Sequence, residues 1–528
     1  MSSDLEHSTL TAPARPATDA SSSNFEFMSD VAAEPQANDG QSSLRRAVID
    51  IGSNSVRMVV YDGPLRAPFA ICNEKSLCGL GRNMGPDGSL NPDAVAFALA
   101  TLKRFRGLLN DYGAPVVYAV ATAAVRSASD GEEFVRRANA IGFDIDVIDG
   151  AREAALAALG VLSYEPDAEG LVGDMGGGSL ELIEVSGGAL GSAISLPVGP
   201  LALMQQTDGD LKKAKTLIED ALDGCGWLAG KGERALYTVG GAWRAIARIH
   251  MQLRNHPLSI LHHYEVSARE AADVCRFIAS QSRASLQEIP GIPRRRIETL
   301  PYAALVLSAV LMRAGVSKLL VSAGGLREGV IYDHLTTEER KADPLLSGAA
   351  FLAGRLSPTP SYGAAVARAL APLFQSADET DRRLVTAAST LIDAGAFFHP
   401  DLRGEHLYDT ALRTPFYSIA HADRVALALA LYTRHEGKDV YSLERPEFTL
   451  IPLARREWAI RLGLALRLLA SFAPKSPAPL DGVTVSMRGE TLVFSTPARR
   501  ADLVQDLIIR RLDALATAFG VKGRVEFT

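Results

Sequence analysis

Asp174, the three glycines after it and Ser179 form the stretch whose residue types point most directly to chemistry. Apolar residues lead into Asp174 and an alternating apolar run follows Ser179, which predicts a β-hairpin with a glycine tip. Glycines 176–178 have no Cβ, so their backbone can approach a ligand closely and direct several N–H groups at one point. Such a tip suits a phosphate oxygen, and Asp174 could hold a cation beside it. The alternative is a tight turn in an ordinary sheet.

A second stretch, at residues 47–60, repeats this pattern. The matching pairs share one offset of 124 residues (174 − 50 = 124): Asp50 with Asp174, Gly52 with Gly176, Asn54 with Gly178, and Ser55 with Ser179. A repeated strand–Asp–x–Gly–x–x–Ser–strand unit predicts two related lobes, each offering one loop to a cleft between them. Two such loops at this separation resemble the duplicated α/β architecture of actin, sugar kinases and the heat-shock chaperone ATPase domain.

Two further side chains lie where ligand groups are expected. Arg126 follows a buried strand at 115–120, and the carboxyl ends of strands are where open α/β sheets place ligands. We therefore interpret Arg126 as a phosphate clamp, against the default of a surface arginine. Glu153 lies in the first turn of a helix that follows the next strand, so it should face the two loops at the cleft mouth. Its alternative role is to complement the helix dipole.

Composition and terminal sequence limit the classes of protein. The chain has 528 residues, enough for several domains, and a formal net charge of −6, so a polyanion must meet a local basic patch. Its four cysteines show no metal-ligand spacing, which favours free thiols in a reducing cytosol. Residues 1–43 are polar, lack a signal-peptide core and are predicted to form a disordered tail. We expect a cytoplasmic protein with no DNA, RNA or membrane partner.

Lobe I is predicted at 44–165 and lobe II at 166–335. In lobe II, Gly240 and Gly241 end a predicted strand, at a point where related folds approach a nucleotide or phosphate tail. Arginines 294–296 form the densest basic cluster, which is either a solvated face or a contact for a polyanion.

The ordered motifs resemble those of one family, the exopolyphosphatase and guanosine-pentaphosphate phosphohydrolase family. The resembling stretches are 49–55, 121–126, 149–154, 174–179, 197–199 and 322–329. The resemblance implies hydrolysis of a terminal phosphoanhydride with Mg²⁺ or another divalent cation. It places the catalytic glutamate on Glu153, and the cation beside Asp174, Glu153 and Asp50. The implied phosphate-binding residues are Gly52, Ser53, Asn54, Ser55, Arg126, Gly176, Gly177, Gly178, Ser179 and Arg296, with the register within 294–296 left open.

The chain also departs from the family pattern. Ala151 and Arg152 stand before Glu153 where the family usually has acids, and Ala242 and Trp243 follow the late glycine pair where a threonine is usual. Both departures could alter substrate preference near the cleft, while neither removes a group that the chemistry needs.

The back of the chain is predicted to be helical at 336–472, with a linker at 473–480 and a small β-β-α-β module at 481–528. A stretch at 386–395 resembles the helix of His-Asp phosphohydrolases, but Ile392 stands where the histidine would be. We therefore expect a degenerate domain whose histidines are structural, and which extends the substrate channel or the surface of a homodimer.

The leading hypothesis is an exopolyphosphatase acting on inorganic polyphosphate. Removal of the 5′ γ-phosphate of guanosine pentaphosphate needs the same groups, so the motifs leave that alternative open. An actin-like ATPase or sugar kinase would need an adenine pocket, of which Ala242, Trp243 and Arg244 give no clear sign. A non-catalytic sensor of guanosine tetraphosphate or polyphosphate is disfavoured because Glu153 and Asp174 are retained.

Overall fold

The structure is a computed structural model that describes residues 45–528 except Pro115, Lys231, Glu233 and Gly291. The tail predicted at 1–43 lies outside the described residues. Within the described ranges, no helix combines the length and apolar character that crossing a membrane requires.

Lobe I is a five-stranded mixed sheet with helices. Its strands are β1 (Arg46–Ile51), β2 (Val56–Asp62), β3 (Phe69–Ser76), β4 (Val116–Ala121) and β5 (Ile145–Val147), in the order β3-β2-β1-β4-β5. Its helices are α1 (Pro92–Asp111), α2 (Ala123–Ser127), α3 (Gly131–Asn139) and α4 (Gly150–Tyr164).

Lobe II is built on a six-stranded sheet. Its strands are β6 (Gly170–Met175), β7 (Leu180–Ser186), β8 (Ala189–Leu196), β9 (Ala235–Val239), β10 (Glu265–Ser267) and β11 (Lys318–Val321). Its helices are α5 (Pro200–Gln206), α6 (Leu211–Asp223), α7 (Gly241–Leu253), α8 (Ala268–Ser280), α9 (Arg283–Gln287), α10 (Leu300–Ala314) and α11 (Leu326–Asp333).

The two sheets repeat one topology. In lobe II the order β8-β7-β6-β9-β11 matches β3-β2-β1-β4-β5 of lobe I, and β10 adds an antiparallel strand at the far edge. In both lobes the first strand pairs antiparallel with the second and parallel with the fourth. The predicted duplicated α/β fold is therefore confirmed. Because β1 and β6 each lie between two strands, their apolar runs are buried.

Helix α4 places Glu153 at the cleft. The Asp149 side chain caps this helix by accepting the N–H of Arg152 at 2.7 Å, which fixes the start of α4 directly after β5. Glu153 then falls in the first turn, where the sequence predicts it.

Glycines allow α4 of lobe I to pack directly against α11 of lobe II. A Cβ on Gly329 would lie 1.7 Å from the carbonyl oxygen of Leu156, and one on Gly160 would lie 2.0 Å from that of Gly325. No side chain fits between backbones this close. The crossing therefore fixes Glu153, on α4, relative to Arg327, on α11.

The helical region and the small sheet share one core. The helices are α12 (Thr337–Lys341), α13 (Pro344–Leu356), α14 (Ser361–Leu370), α15 (Glu379–Thr390), α16 (Arg403–Arg413), α17 (His421–Glu436) and α18 (Leu453–Phe472). The predicted β-β-α-β order follows as β12 (Thr484–Arg488), β13 (Thr491–Thr496), α19 (Asp506–Phe519) and β14 (Lys522–Phe527). One apolar cluster runs from α13 to α19 and includes Ala473 and Leu480. Residues 473–480 thus join two parts of a single core rather than two separate cores.

Asp393 lies beside the position that lacks the expected histidine. Ile392 and Asp393 are both buried, and Arg434 Nη2 lies 2.9 Å from Asp393 Oδ1. The guanidinium supplies the positive charge that a metal would otherwise supply to this carboxylate. Within the described ranges, no His, Cys, Asp and Glu cluster of metal-ligand geometry includes Asp393.

Candidate active site

Both hairpin tips face one cavity of about 810 Å³ between the lobes. The structure brings most of the predicted site residues into its lining: Asp50, Gly52, Ser53, Asn54, Ser55, Glu153, Asp174, Gly176, Gly177, Gly178, Ser179 and Arg296. The offset of 124 residues in the sequence thus corresponds to two loops that meet across a cleft.

Equivalent backbone hydrogen bonds close the two tips. The N–H of Gly52 donates to the Ser55 carbonyl at 3.1 Å, and the N–H of Gly176 donates to the Ser179 carbonyl at 3.0 Å. In each tip, the carbonyls of the two middle residues accept hydrogen bonds from N–H groups of a neighbouring segment. These carbonyls belong to Ser53 and Asn54 in lobe I, and to Gly177 and Gly178 in lobe II. Carbonyl oxygens would repel a phosphate, and these bonds engage them while holding both tips in place.

Three carboxyl groups cluster on the lobe II side of the cavity. The β6–β7 register places Glu181 opposite Asp174, and α4 brings Glu153 beside them. Burial, followed by the Glu181 and Asp174 carboxylates, raises the pKa of Glu153 to about 8. Burial and Glu181 raise the pKa of Asp174 to about 7. Burial also raises the pKa of Glu181, which accepts a hydrogen bond from Ser195 Oγ at 2.9 Å.

The charge of this cluster favours a divalent cation. Among the described residues, however, its three ligand atoms do not all lie within 4.8 Å of one another, so binding a cation here requires the carboxyl groups to move closer. Carboxylate oxygens are the ligands that Mg²⁺ prefers, and mutual repulsion among the three acids is the electrostatic condition that a cation relieves. Asp50, the third predicted cation ligand, has a different environment. Its Oδ2 lies 3.1 Å from Arg327 Nη1, so a guanidinium already balances that carboxylate. A cation contact for Asp50 stays a prediction.

Arg126 lies behind Glu153. Its Nη1 donates to the Ile148 carbonyl at 2.7 Å and lies 3.4 Å from Glu153 Oε2. Arg126 is not one of the described residues that line the cavity. The contact orients the Glu153 carboxylate and counteracts part of the rise in its pKa. Direct contact of Arg126 with phosphate also stays a prediction.

The structure shows where Arg294, Arg296 and Trp243 lie. Arg296 lines the cavity, and its guanidinium lies against Gly241, where a Cβ would be 2.0 Å from Arg296 Nη2. Arg294 is exposed. Trp243, which the sequence suggested could influence the substrate, is instead buried in the lobe II core, where its indole N–H donates to the Ala303 carbonyl at 3.2 Å.

Sequence reasoning missed four charged residues of the site. Arg57, Arg244 and Arg327 line the cavity, and Glu181 is buried opposite Asp174, outside the described lining. Arg244 donates to the Ala323 carbonyl at 3.3 Å, and burial lowers the pKa of its guanidinium. A signal for one pair was present: Glu181 and Arg57 share the offset of the hairpins (181 − 57 = 124). Glu181 is also an acid that follows the first residue of a buried strand.

Family models match most of the described chain. The Ppx/GppA phosphatase family matches residues 47–338, and the exopolyphosphatase C-terminal family matches residues 366–526. The chain belongs to the Ppx/GppA phosphatase family. The resemblance predicted from the six motifs is confirmed.

Individual relatives of this Ppx/GppA chain are distant. Retrograde regulation protein 2 of Saccharomyces cerevisiae is 25% identical over 453 residues, which span 78% of this chain and 76% of the yeast protein. A crystal structure of an exopolyphosphatase from Cytophaga hutchinsonii is 26% identical, with a TM-score of 0.50, over 55% of this chain and 96% of that one. The Aquifex aeolicus Ppx/GppA family member, 23% identical over 57% of this chain and 99% of that one, has a TM-score of 0.50 and supports the fold alone.

Proposed function

We propose that this Ppx/GppA protein is an exopolyphosphatase that releases orthophosphate from the end of inorganic polyphosphate. The observation that carries the proposal is the placement of two equivalent glycine tips and a carboxyl cluster around one cavity. The structural similarity to an exopolyphosphatase from Cytophaga hutchinsonii supports it.

Glu153 is the proposed base. Water attacks the terminal phosphorus, the bond from that phosphorus to the bridging oxygen breaks, and Glu153 accepts the proton of the water. A pKa of about 8 suits this task, because a base works best when its pKa lies near the operating pH. Arg126, 3.4 Å from the carboxylate, holds Glu153 in position.

The two tips hold the terminal phosphate in this proposal. Backbone N–H groups of both loops and the hydroxyls of Ser55 and Ser179 supply hydrogen-bond donors, and Arg296 supplies positive charge. Asp174 and Glu181 would hold Mg²⁺ with Glu153 beside them, and the cation would neutralise the charge on the phosphate oxygens.

The lining favours a substrate with several phosphates. Six basic side chains border the cavity: Arg57, Lys75, Arg82, Arg244, Arg296 and Arg327. Four carboxyl groups, those of Asp50, Asp93, Glu153 and Asp174, share the lining, so the basic side chains outnumber the acidic ones. A polyphosphate chain could contact several of the basic groups at once.

One observation favours guanosine pentaphosphate as a second candidate. Leu77 and Phe97 line the same cavity and remain exposed, at 45% and 52%. An exposed aromatic ring beside a phosphate site can stack on a base. A non-catalytic sensor is the third candidate, because the yeast relative is named as a regulation protein.

Parallel assays of the purified full chain with Mg²⁺ test the proposal. Polyphosphate, guanosine pentaphosphate and ATP are supplied separately, and released orthophosphate is measured. We expect turnover of polyphosphate above that of guanosine pentaphosphate, and little release from ATP. Turnover of ATP alone would overturn the proposal, and binding of polyphosphate without release would indicate a sensor. The expected homodimer stays a prediction that light scattering of the same sample tests.

A further inference from the structure

A second cluster of potential metal ligands lies away from the cavity. Glu165 directly follows α4, and His262 and His263 lie in the segment before β10. One ligand atom from each of the three lies within 4.8 Å of the others. Glu165 is twelve residues beyond Glu153 (165 − 153 = 12), which corresponds to about 18 Å along the axis of a helix. The cluster is therefore separate from the carboxyl groups of the candidate active site.

One of these ligand atoms is buried without a hydrogen bond. His262 Nε2 has no hydrogen-bond partner among the described residues, and the His262 side chain is only 9% exposed. Glu165 Oε1 is buried beside it and lies 2.5 Å from His263 Nε2. Buried polar atoms without partners are rare in folded proteins, and each calls for an explanation such as an ion or water. His262 Nε2 lies 3.6 Å from Glu165 Oε1, which His263 Nε2 also contacts.

We propose that Glu165, His262 and His263 form a binding site for a zinc-class divalent transition metal. Two imidazole nitrogens and one carboxylate are a common ligand set for Zn²⁺, with a fourth position left for water. Adjacent ligand atoms of a tetrahedral zinc site lie about 3.3 Å apart. The 3.6 Å between His262 Nε2 and Glu165 Oε1 is close to this value, while the 2.5 Å between His263 Nε2 and Glu165 Oε1 must widen.

The surrounding contacts hold both histidines. The His262 carbonyl accepts a hydrogen bond from His421 Nε2 at 2.9 Å, and His421 Nδ1 lies 3.0 Å from His256 Nε2. His421 begins α17, so the helical region fixes the ligand segment from outside lobe II. His263 has a φ of 62°, an uncommon left-handed conformation that directs its ring toward Glu165.

Metal binding at this site would also affect the turn before α11. The N–H of Ala323 donates to His262 Nδ1 at 3.3 Å. A metal bound at Nε2 places the ring proton on Nδ1, where it faces the N–H of Ala323, so this long hydrogen bond is lost and the Ala323 N–H must turn to another acceptor. Ala323 belongs to the 322–325 turn that precedes Arg327. The proposed site is thus linked through one turn to the arginine that contacts Asp50.

Metal content and affinity of the full chain test this site. Protein stripped with a chelator is titrated with Zn²⁺ in excess Mg²⁺, which occupies the all-oxygen carboxyl cluster and leaves the imidazole site for zinc. Binding is followed by calorimetry, and Co²⁺ substitution reports tetrahedral coordination through its visible absorption. X-ray absorption should show nitrogen and oxygen ligands with no sulfur, which excludes the four cysteines.

Isosteric variants keep the test independent of folding. We expect one Zn²⁺ per chain, a loss of affinity of roughly 10–100-fold or more in Glu165→Gln and His263→Gln, and no change in the exposed control His399→Ala. Zn²⁺ should raise the melting temperature of the parent and the control but not that of the two variants. Equal Zn²⁺ affinity in the parent and both variants, or no Zn²⁺ binding by the parent, would overturn the proposal and leave only a histidine–glutamate ion pair.

Discussion

The two glycine hairpins share a backbone and differ in the charge that faces their aspartate. In lobe I, Asp50 pairs across the strands with Arg57, whereas in lobe II, Asp174 pairs with Glu181. The tips close with equivalent hydrogen bonds in both lobes. The two hairpins therefore share one loop geometry, while the residue opposite the aspartate is a cation in lobe I and an anion in lobe II.

This difference assigns different tasks to the two aspartates. Asp50 lies between Arg57 and Arg327, so positive charge surrounds it and the first hairpin suits an anion without a metal. Asp174 lies opposite Glu181, and burial and Glu181 raise the pKa of Asp174 to about 7, so without a cation the carboxyl cluster retains protons that Mg²⁺ would displace. Both tips would thus hold the phosphate, while Mg²⁺ would bind at the second hairpin.

Removal of Glu153 should produce the largest effect on the second hairpin. We expect Glu153→Gln to lower phosphate release by about 100- to 10,000-fold, because the amide cannot accept the proton of water. Polyphosphate binding should be retained, since the tips and basic side chains are unchanged. The exposed glutamate Glu132 gives the matched control Glu132→Gln, which should behave like the parent. Near-normal release from Glu153→Gln would remove this residue from the mechanism.

Removing the charge of Glu181 or of Arg57, the residues opposite the two aspartates, tests this comparison directly. Glu181→Gln should raise the Mg²⁺ concentration needed for half-maximal activity by roughly 10–100-fold, because it removes one carboxylate of the cluster. Arg57→Gln should leave the Mg²⁺ requirement near that of the parent and raise the KM for polyphosphate, because it removes positive charge from the cavity. Steady-state assays over a range of Mg²⁺ concentrations check both variants. The reverse pattern would show that the two hairpins do not divide their tasks by charge.

The glycine crossing that carries Glu153 to the second hairpin should also be sensitive to substitution. We expect Gly329→Ala to destabilise the fold by about 1–3 kcal/mol, because the added Cβ meets the carbonyl of Leu156 and backbone cannot move aside cheaply. Gly107→Ala in α1 is the matched control, since its Cβ would meet nothing within 4 Å. That change should stabilise by about 0.5–1 kcal/mol. Urea midpoints compare the two, and equal values would mean that the crossing is not tight.

Local patterns in the sequence were enough for the fold and for twelve of the described residues that line the cavity. The repeated Asp–x–Gly–x–x–Ser unit predicted both hairpins, and the helix start after Asp149 predicted the place of Glu153. Such features depend on neighbours in the chain, so they can be read without coordinates. The duplication also predicted that the two tips would meet.

Long-range partners could not be read in the same way. Arg327 lies 277 residues beyond Asp50, and Arg126 turned out to contact Glu153 rather than to line the cavity. Trp243 fills the core of lobe II because Gly173 leaves room for its ring, a packing relation between residues 70 positions apart (243 − 173 = 70). These contacts depend on how α4, α7 and α11 pack in three dimensions, and no local pattern encodes that packing.

The comparison also predicts how the stability of the fold depends on pH. Glu153 and Asp174 have pKa values raised to about 8 and about 7, above their ordinary values of 4.5 and 3.8. At pH values between the ordinary and the raised pKa, the folded metal-free chain binds more protons than the unfolded chain. The stability of the fold should therefore fall as pH rises from about 4 to about 8. Mg²⁺ should restore that stability, because it favours the ionised carboxylates.

Thermal melting with a chelator and then with excess Mg²⁺ measures this effect. The double variant Glu153→Gln and Asp174→Asn should show a flatter profile and a smaller response to Mg²⁺, because it removes both titrating groups. Asp50→Asn should reduce the slope less than the double variant does, because Asp50 contributes less than burial and Glu181 to the raised pKa of Asp174. A metal-free chain that becomes more stable toward about pH 8 over this window would contradict the predicted sign. An equal loss of slope in Asp50→Asn would place the cation between the two hairpins rather than on the second.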